Sequence, residues 1–86
     1  MNKIEVLDTV ATLKSIAAER LTLVEPEYES ITTLPVGLVG TVVEVYGNGE
    51  SSKYLVEFSD NEGCEYAMAI LNADEILVLQ YEVAIA

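Results

Sequence analysis

Apolar and polar residues alternate with period two over much of residues 37–79, in runs separated by turn-forming residues. Successive side chains of a strand point to opposite faces, so this pattern predicts half-buried strands and not helices. In the first run, Thr41, Val43 and Val45 are expected on one face, with Val42, Glu44 and Tyr46 on the other. In the second, Tyr54, Val56 and Phe58 share a face opposite Leu55 and Glu57. Residues 65–71 and 76–79 supply two more strands. Gly47-Asn48-Gly49 offers the positive φ angles that hairpin loops need. Asp60-Asn61-Glu62-Gly63 predicts a type I turn with Gly63 in the left-handed position of a bulge. Asn72-Ala73-Asp74-Glu75 suits a tight or 3-10 turn, because Asn and Asp side chains cap such turns. The sum is a small, strongly curved antiparallel sheet.

The first third of the chain is less regular. Val6, Val10, Leu13, Ala17 and Leu21 fall at helical spacing, yet Val6, Thr9, Val10 and Thr12 are β-branched and favour a strand. We read a strand over residues 5–13 and a short helical turn over 15–20. Residues 22–36 contain Pro26 and Pro35, which forbid a continuous helix or central strand, so they are expected as an inserted packed loop. Glu25, Glu27 and Glu29 would share one side of that loop if it is extended. Residues 80–86 read as a tail or one extra strand, with Tyr81, Val83 and Ile85 on one face and available for edge pairing.

Size and charge narrow the functions available. A chain of 86 residues is expected to form a single domain, residues 1–86. Acidic residues interrupt every apolar run before it reaches membrane-spanning length, and the first residues lack the pattern of a signal peptide. One cysteine, Cys64, cannot form an internal disulfide, and a cytoplasmic location is the simplest expectation. Fifteen acidic residues against four basic ones give a formal net charge of −11. Phosphate backbones are bound by cations that displace counterions, so neither nucleic acid nor an anionic membrane is an expected partner. A basic protein would instead be attracted and steered.

The segments Leu34-Pro35-Val36-Gly37-Leu38-Val39-Gly40-Thr41-Val42-Val43-Glu44-Val45-Tyr46, Tyr54-Leu55-Val56-Glu57-Phe58 and Asp74-Glu75-Ile76-Leu77-Val78-Leu79 together resemble the domain of unknown function 4926 family of small bacterial, often cyanobacterial, proteins. Leu7-Asp8-Thr9-Val10-Ala11 matches the segment with which members commonly begin, which favours a strand there. The resemblance implies a mainly β, SH3-like antiparallel barrel of about five strands with a short helical turn, and no assigned activity. The Gly-x-x-Gly-x-Val run at Gly37 also resembles the KOW element of ribosomal and transcription proteins, over a much shorter stretch.

Catalysis has little to work with. The chain has no histidine, the commonest general base and metal ligand. Cys64 has no basic neighbour to activate it. Glu57 and Glu65 are expected as outward positions on adjacent strands, and no acidic stretch has calcium-loop spacing. No metal or other cofactor is expected, and the protein is not expected to be an enzyme. Barrels of this kind bind peptides through aromatic grooves, which nominates Tyr46, Tyr54, Tyr66 and Tyr28 as contacts. Glu25, Glu27, Glu29 and Glu57 would form a negative rim favouring Lys or Arg. The expected function is therefore a non-enzymatic protein-interaction module for a basic partner, an antitoxin or immunity-type inhibitor being one concrete form. A homo-oligomer built through edge strands is the alternative, and KOW-like RNA binding a distant third.

Overall fold

The computed structural model describes residues 4–23, 33–60 and 62–79. These form β1 (Thr9–Thr12), β2 (Ile16–Ala17), β3 (Leu21–Leu23), β4 (Thr33–Leu34), β5 (Val39–Tyr46), β6 (Lys53–Ser59), β7 (Glu65–Asn72) and β8 (Ile76–Leu79). Short 3-10 turns lie at Ala18–Arg20, Gly49–Ser51 and Ala73–Glu75. Six strands make one antiparallel sheet in the order β3-β7-β6-β5-β1-β8, and β2 pairs with β4 in a separate two-stranded sheet. The large sheet is open, with β3 and β8 at its edges.

β6 follows the predicted alternation, and β7 returns beside it. Val56 and Phe58 are fully buried from β6, and Ala67, Ala69 and Leu71 meet them from β7. Ile16 and Leu34 of the small sheet are buried in the same core as Val10, Val42 and Ile76. A bulge alters the expected faces of β5: Val42 pairs with Val56 and Glu44 with Leu55, leaving Val43 as the extra residue. Val45 therefore packs on the core beside Val42, while Glu44 and Tyr46 are exposed. Strict alternation had placed Val45 with Val43, opposite Val42. Gly63 has φ +82°, and its amide donates to the Asp60 carbonyl at 3.0 Å, as the turn pattern predicted.

The N-terminal strand is shorter than the expected 5–13, because Asp8 closes a turn ahead of it. The Glu5 amide donates to Asp8 Oδ2 at 2.8 Å, and the Asp8 amide donates to the Glu5 carbonyl at 3.1 Å. Within that turn Leu7 adopts φ 77°, and its amide donates to the Val42 carbonyl at 2.7 Å. The helical turn expected over 15–20 is a strand at Ile16–Ala17 followed by the 3-10 turn. The expected loop 22–36 is in part strand, since β3 adds to the free edge of β7 and raises the sheet from five strands to six. Residues 24–32 of that loop, and the expected extra strand at 80–86, lie outside the described residues.

Buried Thr12 ties the base of the excursion between β1 and β5. Its hydroxyl donates to the Pro35 carbonyl at 2.7 Å and accepts from the Leu38 amide at 3.0 Å. Its amide donates to the Leu38 carbonyl at 2.9 Å and its carbonyl accepts from the Gly37 amide at 2.7 Å. Gly40 pairs with Val10 on one side and Phe58 on the other. A Cβ there would lie 2.7 Å from Val56 Cγ1 and 2.9 Å from both the Glu57 carbonyl oxygen and Phe58 Cδ1. Only glycine lets these strands close up at that point.

Candidate partner-binding surface

The three nominated tyrosines that are described do not share a surface. Val45 pairs with Tyr54 and Tyr46 with Lys53, so Tyr46 and Tyr54 leave opposite faces of the sheet. Tyr46 is 43% exposed, whereas Tyr54 and Tyr66 are 7% and 9% exposed and belong to the core cluster. Burial, with the Asp60 carboxylate adding to it, pushes the Tyr66 hydroxyl pKa up. Tyr28, Glu25, Glu27, Glu29, Tyr81, Val83 and Ile85 lie outside the described residues.

Tyr54 nevertheless lines a cleft at the surface. A cleft of about 330 Å³ opens where the β5–β6 hairpin turns, with Tyr54, Val45 and Ile4 in its walls. Residues 47–49 and the nearly buried Ser52 also line it, and none of the described lining residues is charged. The two φ-positive glycines of that turn, Gly47 and Gly49, let the hairpin fold back over the 3-10 turn that frames the cleft.

Charge is distributed unevenly. Arg20 Nη1 donates to Glu75 Oε2 at 2.6 Å and Nη2 to Oε1 at 2.8 Å, a bidentate pair. Arg20 Nη2 also reaches the Ile70 carbonyl at 3.1 Å. Glu75 is nearly buried, and the Arg20 hydrogen bonds lower its pKa to about 2 against the opposing effect of burial. The Asn72 amide donates to Glu75 Oε1 at 2.9 Å, the half of a capping box that the Asn72-to-Glu75 spacing advertises. Lys14 pairs with Asp74 at 3.4 Å, and Lys53 donates to Asn72 Oδ1. All three cations among the described residues are thus held by side chains of one turn, residues 72–75. Glu5, Glu19, Glu44, Glu50 and Glu62 are exposed and belong to neither ion pair. On the outer face, a carboxyl hydrogen bond with Glu57 raises the Glu65 pKa, as expected when two acids must share a proton.

Neither the Arg20–Glu75 pair nor the Thr12 node was predicted, since their partners lie 55 and 23–26 residues away in sequence. Cys64 is an exposed free thiol. Among the described residues no group of three or more acidic or cysteine side chains is placed to hold a metal ion. No helix among them is long and apolar enough to cross a membrane.

An open, acidic, antiparallel-β domain is the class these features define. A family model for a domain of unknown function, DUF4926, matches residues 6–78, and the chain belongs to that family. Comparisons with curated proteins and with solved structures found no match.

Proposed function

We propose that the protein is a non-enzymatic interaction module of SH3-like type whose acidic surface receives a basic protein. The succession β8-β1-β5-β6-β7, with a 3-10 turn between β7 and β8, is the strand order that supports the SH3-like description. The observation that carries the functional part is the gathering of the three described cations, Lys14, Arg20 and Lys53, at one turn, which leaves the exposed carboxylates of the other described residues to set the field elsewhere. That field accelerates encounter with cationic partners and repels phosphates, so the RNA reading gains nothing from it. An inhibitor that masks a basic nuclease is one form such a module takes. The test is affinity capture from native lysate at ~20 mM and ~300 mM salt, a range over which screening of exposed charges changes severalfold. A basic partner lost at the higher salt supports the proposal; a chain that stays alone at low salt ends it.

Among the described residues β8 is an edge strand, which favours self-assembly as a second reading. Its run Ile-Leu-Val-Leu carries no charge or proline to discourage pairing. Sedimentation velocity tests it: Leu77, exposed on the outer face, should abolish any dimer when replaced as Leu77→Lys. A monomeric parent chain overturns this reading.

A further inference from the structure

β7 runs from Glu65 to Asn72, but β3 pairs only with Ala67–Ala69 of it. From Ile70 to Asn72 no strand covers that edge among the described residues. Alternate residues of a strand turn their main-chain groups to the same edge, so Ile70 and Asn72 present theirs together. An uncovered edge of this kind is a template for another chain. Here side chains occupy it. Arg20 precedes the Leu21 that pairs with Ala69, and its Nη2 donates to the Ile70 carbonyl at 3.1 Å. Glu75 Oε1 accepts from the Asn72 amide at 2.9 Å. One side chain supplies a donor and the other an acceptor, and their bidentate contact holds the two together. A neighbouring strand would offer the same complement to the same two groups.

The stretch beneath is self-complementary. Two copies related by a two-fold axis at Leu71 would set Ile70 of one opposite Asn72 of the other. In an antiparallel pair of that register, the Ile70 carbonyl accepts from the second copy's Asn72 amide. The groups that the pairing needs are the two that Arg20 and Glu75 hold. Ile70 is also 50% exposed, and a strand laid beside it would cover part of that side chain.

We propose that the Arg20–Glu75 pair plugs the β7 edge in place of a strand and keeps a second copy of this chain from pairing there. The inference concerns the β7 end of the sheet and does not depend on the readings given for the acidic surface or for β8.

Sedimentation velocity of the full chain tests it, with every variant built on Leu77→Lys so that association through β8 does not enter. Arg20→Met together with Glu75→Met removes both capping groups and keeps side-chain bulk, an exchange that proteins often tolerate when both charges leave at once. It should bring the mean sedimenting mass toward twice that of the Leu77→Lys chain, as a closed two-fold pair requires. Glu75→Met alone leaves the partly exposed Arg20 on the Ile70 carbonyl and should associate more weakly. Adding Ile70→Lys to the double variant puts a charge on the opened edge and should return it to a monomer. A double variant that stays monomeric overturns the proposal. So does an assembly that Ile70→Lys leaves intact, because association through partial unfolding would not turn on that one position.

Discussion

At the scale of single residues, two backbone positions make opposite predictions. Gly40 sits where β1, β5 and β6 converge, and backbone as well as side chain stands within 3 Å of any added Cβ. Gly40→Ala should therefore lower stability by about 2 kcal/mol in urea unfolding, because strands must separate to admit one methyl group. Leu7 holds a left-handed backbone angle that costs a branched side chain about 1–2 kcal/mol, and its side chain is 76% exposed, so little burial offsets that strain. Leu7→Gly should raise the unfolding free energy by up to about 1 kcal/mol after the added freedom of the unfolded chain is counted, and the midpoint with it. A lower midpoint would mean that Leu7 contributes packing which its exposure does not reveal.

At the scale of elements, the Arg20–Glu75 pair joins the turn leading into β3 to the turn leading into β8, the two edges of the open sheet. Glu75 has its folded pKa lowered to about 2 from 4.5, so its contribution is present above the ordinary carboxylate range and is lost as pH falls toward 2. Glu75→Gln should cost about 2 kcal/mol near neutrality and flatten the acid limb of the stability curve, measured by urea unfolding between pH 7 and pH 2. Glu65 behaves in the reverse sense. Its raised folded pKa gives a contribution present at low pH that disappears as pH rises through the shifted value, and Glu65→Gln should remove that loss. Local signals were enough to read β6, β7, the Gly63 turn and the 72–75 turn, because alternation and turn chemistry act over a few residues. The bulge at Val43, the addition of β3 to β7 and the Arg20 contact depend on partners distant in sequence, and nothing near those residues announces them. The tyrosines illustrate the same limit: side-chain type marked them as contacts, whereas pairing register decided that Tyr54 faces inward and Tyr46 outward.

Across the whole molecule, a net charge of −11 on 86 residues makes self-repulsion a standing cost of compactness. Added salt screens that repulsion, so the thermal midpoint should rise between ~10 and ~300 mM NaCl, over which the Debye length contracts to a few ångströms. A midpoint that falls would mean that the ion pairs at residues 72–75 outweigh the global repulsion. The turn bearing Cys64 and the hairpin turn framing the cleft lie at opposite ends of β6, a seven-residue strand about 20 Å long. A maleimide dye on that lone thiol would ride clear of the cleft, and with one fluorophore per polypeptide, stepwise photobleaching would count the copies in whatever assembly forms.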